Sequence, residues 1–298
     1  MTTGVQAPAT NSPAAILAAA RPRQWIKNVL VLAAPVLAAR LGEGEVVLNS
    51  LIAFVAFCLA ASGIYLINDV RDIEEDRAHP RKRFRPIAAG RVSTSVALVA
   101  GACSLLAALA VSPLASWQLT AVIATYEGVS LVYCLALKDE PVIDIAIIAS
   151  GFLLRAVAGG VASHIPLSQW FLLAASFGSL FMAAGKRHTE VVTLGADQSA
   201  TRRSLVGYSE SYLRFVWSVS AAILIMTYGL WAFEIRESTD SPWAVISMAP
   251  FVLAVLRYAV DVDAGRADEP EEIALSDRVL QVLALVWLAM IAISLYVS

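Results

Sequence analysis

The sequence has few charged residues. Asp, Glu, Lys and Arg make up 15% of its 298 residues, whereas a soluble domain carries about 25%. Hydrophobic residues make up 58%, and apolar stretches long enough to cross a bilayer recur along the whole chain. This composition excludes an ordinary soluble domain and predicts an all-α polytopic membrane protein. We expect membrane lipids, and no nucleic acid, among its partners.

Cysteine is also scarce. Cys58, Cys103 and Cys134 all lie in apolar runs without a partner at metal-ligand spacing, so we expect buried, reduced thiols. The N-terminus lacks the basic region of a signal peptide and is rich in Pro, Ala, Ser and Thr. We interpret residues 1–20 as a disordered tail that precedes a single nine-helix transmembrane domain, residues 21–298.

Nine candidate spans follow from the apolar stretches. They lie at about 25–40, 48–68, 93–112, 115–137, 142–162, 168–186, 212–233, 242–260 and 278–297. The first is amphipathic at its start, which reads Arg21-Pro22-Arg23-Gln24-Trp25-Ile26-Lys27. Before the last span, Glu269-Pro270-Glu271-Glu272 is interpreted as a solvated loop or as a lid.

Basic residues are nearly absent from one set of predicted loops, which holds only Arg40 and Arg236. The other set and the N-terminal flank are basic, above all at 71–91 and 186–214. Because Lys and Arg accumulate in cytoplasmic loops, this asymmetry places the N-terminus and the even-to-odd loops in the cytoplasm. The C-terminus then lies outside. The expected location is the inner (plasma) membrane.

A cluster of carboxylates follows the second span, at Asn68-Asp69-Val70-Arg71-Asp72-Ile73-Glu74-Glu75-Asp76. On a continuing helix Asn68, Asp72 and Asp76 share one face, with Asp69 at its flank. Like charges this close repel each other and lose hydration beside lipid, unless a cation lies between them. Hard oxygen ligands suit Mg²⁺, which completes its shell with substrate phosphates. We predict Asn68, Asp72 and Asp76 as Mg²⁺ ligands, and Asp69, Asp72 and Asp76 as catalytic residues.

The alternative interpretation of this cluster is a solvated, acidic helix end, which suits Glu74 and Glu75. The basic run at 77–86 also has two interpretations. It can fix topology and attract anionic lipid headgroups, or it can bind a polyanionic substrate beside the metal. Arg77, Lys82 and Arg85 are the candidates for a phosphate contact.

A second polar group, which includes Lys186, Arg187 and Glu190, ends the sixth predicted span on the same side. The two basic residues could clamp phosphate, and Glu190 could bind a second metal. The alternative is an ordinary basic helix terminus, which complements the helix dipole. An acid fits that alternative poorly.

Four further residues complete the predicted substrate-binding set: Lys27, Tyr133, Lys138 and Arg155. Lys138 closes the fourth span and has the alternative of snorkelling to the interface. Arg155 lies inside the fifth span, where a charge is a functional hypothesis by default. An internal ion pair, for which Asp144 lies three turns away on the same face, or a tie between helices would also explain it.

The motif Asn68-Asp69-x-x-Asp72-x-x-x-Asp76 resembles the first aspartate motif of the UbiA prenyltransferase superfamily. The span count and the polar group after the sixth span agree, so the resemblance covers essentially the whole chain. Typical members carry two aspartates in that second motif, where this sequence has the single acid Glu190. With the stretches 21–28, 82–90 and 213–217, this departure resembles a branch whose donor is soluble phosphoribosyl pyrophosphate and whose acceptor is a lipid phosphate.

The resemblance implies a UbiA-like bundle with a cytoplasmic polar cavity, and Mg²⁺ as the cofactor. It also implies transfer of 5-phosphoribose from phosphoribosyl pyrophosphate to polyprenyl (decaprenyl) phosphate, with release of pyrophosphate, on the route to decaprenylphosphoryl arabinose and cell-wall arabinan. One alternative is a UbiA-type prenyltransferase with a prenyl diphosphate donor, against which the single acid argues. A transporter would suit Glu127, Asp144 and Arg155 inside spans, but transporter sites lie near the midplane. A homo-oligomer is left open.

Overall fold

The computed structural model describes residues 10–194, 207–267, 273 and 276–297. Residues 1–9 of the expected tail and the acidic segment at 269–272 lie outside these ranges. Within the described ranges the chain is helical and has no β-strand, which confirms the all-α prediction. The helices are α1 (Pro13–Ala19), α2 (Ala33–Leu37), α3 (Gly44–Arg71), α4 (Ile73–Ala78), α5 (Thr94–Val111), α6 (Trp117–Val132), α7 (Ile143–Ala162), α8 (Gln169–Leu194), α9 (Glu210–Thr239), α10 (Trp243–Ile246), α11 (Met248–Asp263) and α12 (Arg278–Tyr296).

Four non-α elements connect or extend these helices. Three are 3₁₀ segments, at Pro22–Leu32, Lys82–Phe84 and Ser112–Leu114, and one is a π turn at Tyr133–Leu137 that continues α6. Helix α1 lies within the expected disordered tail. It begins where the Ser12 side chain accepts a hydrogen bond from the Ala15 N–H at 3.2 Å, and its buried Ala15 and Ala19 pack near Leu66 of α3.

Seven helices in the described part of the chain are long and apolar enough to cross a membrane. They are Gly44–Arg71, Thr94–Leu114, Trp117–Leu137, Ile143–Ala162, Glu210–Thr239, Trp243–Asp263 and Arg278–Tyr296. By length and composition, the described residues therefore give seven candidate spans, not the nine predicted. The first and the sixth predicted spans do not meet this criterion.

The first predicted span, 25–40, is split between the 3₁₀ segment Pro22–Leu32 and the short helix α2. The sixth, 168–186, lies inside α8, which continues past Lys186 to Leu194. Helix α8 includes the polar stretch from Lys186 to Glu190 and is not among the seven. The expectation that this stretch forms a helix terminus is also wrong, since the helix runs on beyond Glu190.

Close helix packing brings the polar ends of several helices together. Helix α3 packs along α5, and α8 packs along α7 and α9. A Cβ atom at Gly63 of α3 would meet the Leu105 side chain at 2.7 Å and the Gly101 carbonyl at 2.9 Å, so only glycine allows this approach. Small residues play this part in membrane helix pairs. The result places the end of α3 beside the π turn after α6 and the start of α7.

Candidate active site

The carboxylate cluster lies where α3 passes into α4. Helix α3 ends at Arg71 and α4 begins at Ile73, with Asp72 between them at φ −89° and ψ 15°. The Asp72 N–H still donates to the Asn68 carbonyl at 2.9 Å, and the Asp76 N–H donates to the Asp72 carbonyl at 2.8 Å. The four-residue repeat therefore continues across the junction. As its spacing indicates, the Asn68 amide reaches the Asp72 carboxylate, with Nδ2 donating to Oδ2 at 3.1 Å.

Asp69 and Asp76 form the buried centre of the cluster, at 1% and 3% exposure. The Arg85 guanidinium bridges them, 2.7 Å from Asp76 Oδ2 and 3.3 Å from Asp69 Oδ1. Arg21, from the N-terminal flank of the chain, also forms an ion pair with Asp69 Oδ1. The sequence placed Asp69 at the flank of the acidic face, whereas the structure places it between two guanidinium groups. Its second oxygen, Oδ2, is buried and makes no hydrogen bond to any described residue.

The π turn Tyr133–Leu137 and the residue after it link this cluster to the next helix. Lys138 Nζ lies 2.6 Å from Asp72 Oδ1 and 3.8 Å from the exposed Glu75 carboxylate. The Cys134 thiol donates to Asn68 Oδ1 at 3.4 Å. The turn and the residue after it thus contribute three polar side chains, those of Tyr133, Cys134 and Lys138. Such π turns are often found at functional sites.

A second cluster is centred on Arg187 of α8. Its guanidinium is 1% exposed and holds Asp144 of α7 in a two-pronged contact, at 2.5 Å to Oδ2 and 2.8 Å to Oδ1. A third contact joins it to Glu190. Tyr133 donates its hydroxyl hydrogen to Asp144 Oδ1 at 2.5 Å. Because Tyr133 begins the π turn that Lys138 follows, the two clusters are connected.

The remaining predicted residues have varied surroundings. Lys186 is half-buried and makes no ion pair with the described residues, whereas Lys27 and Lys82 are half-buried residues that do have interactions. Arg77 donates to Glu74 at 2.7 Å and to the Ala88 carbonyl at 3.2 Å. Arg155 does not bind Asp144, so the predicted ion pair is not formed. Arg155 bonds instead to an amide and a phenol on two other segments and to a carbonyl of its own helix.

His79, in the basic run, stabilises the local backbone. Burial lowers its pKa, and the nearby charges of Lys82 and Arg85 lower it further. The ring is therefore neutral at neutral pH. Its Nδ1 accepts the backbone N–H groups of Arg81 at 3.2 Å and of Lys82 at 3.3 Å, which fixes the turn that leads to Arg85.

The model of the UbiA prenyltransferase family matches residues 29–282. The chain belongs to the UbiA prenyltransferase family. With seven apolar helices among its described residues, this UbiA protein is an integral membrane protein.

Three bacterial relatives of this UbiA protein are named decaprenyl-phosphate phosphoribosyltransferase. The protein from Mycolicibacterium smegmatis is 53% identical, over 98% of this chain and 95% of the relative. That from Mycobacterium tuberculosis is 52% identical, over 96% of this chain and 95% of the relative. That from Corynebacterium glutamicum is 49% identical, over 97% of this chain and 89% of the relative.

Solved structures share the fold. A UbiA homologue from Archaeoglobus fulgidus, bound to DMAPP and Mg²⁺, has a TM-score of 0.73 at 15% identity and covers 95% of this chain and 99% of its own. An apo UbiA homologue from Aeropyrum pernix K1 has a TM-score of 0.64 at 16% identity, over 93% and 98% of the two chains. The UbiA fold is therefore established for this protein, as the sequence motif predicted.

Whether the acidic cluster of this UbiA protein suits a metal ion depends on its donor atoms and on their arrangement. Among the described residues, no three His, Cys, Asp or Glu side chains converge in an arrangement that would hold a metal ion. Each acid faces a basic side chain instead. The donor set nevertheless suits a hard divalent cation, because it consists of carboxylate and amide oxygens. The buried, unpartnered Oδ2 of Asp69 marks acceptor capacity that a cation would satisfy.

Two participants in these clusters were missed by sequence reasoning. Arg21 was assigned to topology and to a stretch that carries the family resemblance, and Asp144 to a pair with Arg155 or to a transporter site, so neither was predicted at these clusters. In the sequence, Arg21 precedes Pro22 and an amphipathic segment. This position does not indicate that Arg21 pairs with a carboxylate far along the chain. For Asp144 the signal was its place near the start of an apolar span, where an acid needs a partner.

Proposed function

We propose that this protein is a decaprenyl-phosphate phosphoribosyltransferase. It transfers the 5-phosphoribosyl group from phosphoribosyl pyrophosphate to decaprenyl phosphate and releases pyrophosphate. The observation that carries this proposal is identity of about half the residues, along nearly the full length, to proteins of that name. The second motif also supports the proposal. Typical family members carry two aspartates there, whereas this chain has Arg187, which pairs with Asp144 and Glu190.

The first cluster is the proposed donor site. Arg21, Arg85 and Lys138 are paired with carboxylates here, and these cations are suited to the diphosphate of the donor. Asn68, Asp72 and Asp76 would hold a divalent cation, Mg²⁺, with Asp69 beside them. A relative of the same fold is bound to DMAPP and Mg²⁺, which supports a metal in this family. When bound, the ion would stabilise negative charge on the leaving pyrophosphate.

The chain's own residues would serve the transfer by charge and position. The bond from C1 to the pyrophosphate oxygen breaks, and an oxygen of the lipid phosphate attacks C1 from the opposite face with inversion. That nucleophile is already anionic at neutral pH, so the site needs no strong general base, in agreement with a cluster of Asp, Arg and Lys. Lys138 and Arg85 would neutralise the departing diphosphate, while Asp69 and Asp76 hold Arg85 in place. The sequence did not distinguish which basic residue binds the 5-phosphate; we propose Lys186, which is half-buried and makes no ion pair with the described residues.

The distribution of basic residues supports a cytoplasmic donor site. We therefore propose that the N-terminus and both clusters face the cytoplasm of the plasma membrane, where soluble phosphoribosyl pyrophosphate is found, and that the C-terminus lies outside. This topology requires residues 22–37 and helix α8 to cross the membrane in addition to the seven apolar helices. The product would be a precursor of decaprenylphosphoryl arabinose for cell-wall arabinan. The polyprenyl tail would lie against the apolar outer faces of the helices.

The direct test uses the purified protein in detergent with labelled phosphoribosyl pyrophosphate, Mg²⁺ and polyprenyl phosphates of several lengths. Label should pass into a lipid fraction with equal release of pyrophosphate. The Asp72→Asn variant is the matched control, because it keeps size and removes one charge. No transfer by the folded wild-type protein to any polyprenyl phosphate would refute the assignment.

A further inference from the structure

The segment Pro22–Leu32 keeps 3₁₀ geometry for eleven residues. Runs of this helix longer than three or four residues are uncommon, because its hydrogen bonds have poorer geometry. An unusually long run therefore needs side chains that hold it. In a 3₁₀ helix, positions i and i+3 are eclipsed. Arg23, Ile26 and Val29 form an exposed row, while Asn28 and Val31 lie on the buried row.

Three contacts tie the buried row to neighbouring helices. The Trp25 indole N–H donates to the Ser62 hydroxyl of α3 at 3.1 Å. The Asn28 amide, fully buried, donates through Nδ2 to the Cys58 sulfur at 3.2 Å. At the far end, a Cβ atom on Gly159 of α7 would lie 1.8 Å from the Val31 carbonyl oxygen, so the segment touches the α7 backbone there.

Arg155 of α7 makes the strongest of these ties. Its Nε donates to Asn28 Oδ1 at 2.7 Å, its Nη1 to the Gly151 carbonyl at 2.6 Å and its Nη2 to the Tyr126 hydroxyl at 3.2 Å. The guanidinium also lies over the rings of Phe57 and Tyr126, with 5.2 and 4.9 Å to their centroids. It has no carboxylate partner among the described residues. A buried arginine in a span is costly, and here its donors are used to hold neighbouring segments together.

The N-terminal end of the segment lies at the proposed donor site. Arg21 is its N-cap, in the left-handed region at φ 55°, and its guanidinium pairs with Asp69 and lies 5.0 Å from the centre of the Tyr65 ring. A 3₁₀ helix rises about 2.0 Å per residue and an α-helix about 1.5 Å. Conversion between Pro22 and Asn28 would therefore shift the Arg21 end by about 3 Å. That is enough to separate Arg21 from Asp69.

We propose that Arg155 is a positioning residue for the donor site: by holding Asn28, it keeps Pro22–Leu32 in its extended 3₁₀ form and so holds Arg21 on Asp69. The expected effect on enzyme kinetics rests on the proposed function, whereas the structural tie does not. It assigns Arg155 no contact with substrate, in contrast to the substrate-binding role expected from the sequence.

A double-mutant cycle tests the proposal. Arg155→Met should lower kcat/KM for phosphoribosyl pyrophosphate by at least about tenfold, the effect of losing a charged hydrogen bond, mainly through KM for the donor. In an Arg21→Ala background the same change should cost less than about threefold, because the group it positions is already gone. Arg155→Lys, which keeps a donor for Asn28, should restore part of the loss. Equal losses in both backgrounds would overturn the proposal.

Thiol labelling provides a readout that needs no substrate. Cys58 lies under the Asn28 amide, so Arg155→Met and Asn28→Ala should both speed its reaction with a membrane-permeant maleimide, followed by peptide mass spectrometry. Arg257→Met removes a basic residue paired with Asp277 at 2.7 Å and should leave the Cys58 rate unchanged. If Arg155→Met fails to fold, Asn28→Ala replaces it in both the double-mutant cycle and the labelling experiment. If the variants label faster but the wild-type protein does not use phosphoribosyl pyrophosphate, the proposed function is refuted and the tie is retained. Unchanged labelling in both variants would refute the tie.

Discussion

Replacing Arg85 tests the central ion-pair network. Arg85 follows the basic turn after α4 and is the one guanidinium that contacts both buried carboxylates in the described structure, Asp69 and Asp76. Arg85→Gln keeps much of the side-chain volume and removes the charge. The change removes a cation proposed to meet the donor diphosphate, and it leaves Asp76 without its ion-pair partner.

The expected magnitude follows from the two contacts. The 2.7 Å contact to Asp76 is a good charged hydrogen bond, and the 3.3 Å contact to Asp69 is weaker. A charge-assisted hydrogen bond is worth about 1.5–3 kcal/mol, which is about 10- to 150-fold in a rate or binding constant. The Arg85 side chain is 27% exposed, so screening favours the lower part of this range. We expect kcat/KM for phosphoribosyl pyrophosphate to fall about 10- to 40-fold.

The assay varies donor concentration at saturating lipid, and then lipid at saturating donor. The donor KM should rise, and the lipid KM should change much less. Arg40→Gln is the matched control, because Arg40 pairs only with the exposed Glu43 in the described structure and such pairs contribute little. Arg85→Lys should lie between wild type and Arg85→Gln, since an ammonium lacks the planar fork. A change below about threefold in folded Arg85→Gln would refute the reasoning.

Three further predictions concern the same polar face. Asp72→Asn should abolish transfer in a folded protein, and near-normal turnover in Mg²⁺ would exclude Asp72 as a metal ligand. A cysteine at Thr239 should react with an impermeant thiol reagent from outside intact cells, while one at the exposed Ala89 should react only after permeabilisation; the reverse pattern would exclude a cytoplasmic donor site. Arg187→Ala should raise the donor KM or lower kcat by at least about tenfold and also lower the melting temperature, because it leaves Asp144 buried without its cation; an effect on lipid saturation alone would contradict a donor role.

The sequence was sufficient for local features of the site. The spacing of Asn68, Asp72 and Asp76 predicted a shared helical face, and the observed bond between Asn68 and Asp72 agrees with it. The placement of Glu74 and Glu75 in solvent also follows from the sequence. These features depend on residues within two or three turns, where helical periodicity determines which side chains meet.

The ion pairs between residues far apart in the sequence could not be predicted in this way. Arg21 meets Asp69, and Arg187 meets Asp144, across long stretches of sequence. Nothing local in an apolar chain tells which distant acid a given arginine will reach. The 3₁₀ form of Pro22–Leu32 was likewise missed, because its amphipathic pattern was interpreted as an α-helical span. Its exposed positions, Arg23, Ile26 and Val29, recur every three residues, but one is charged and two are aliphatic, so the sequence alone does not show this period.

The most direct test of the assigned activity is a competition between two donors. The purified protein is given equal amounts of phosphoribosyl pyrophosphate and a prenyl diphosphate, with Mg²⁺ and decaprenyl phosphate, and the lipid products are identified by mass. Our account predicts a decaprenyl lipid that carries phosphoribose, with inverted configuration at C1 and one pyrophosphate released per product. Consumption of the prenyl diphosphate, with phosphoribosyl pyrophosphate left untouched, would contradict it.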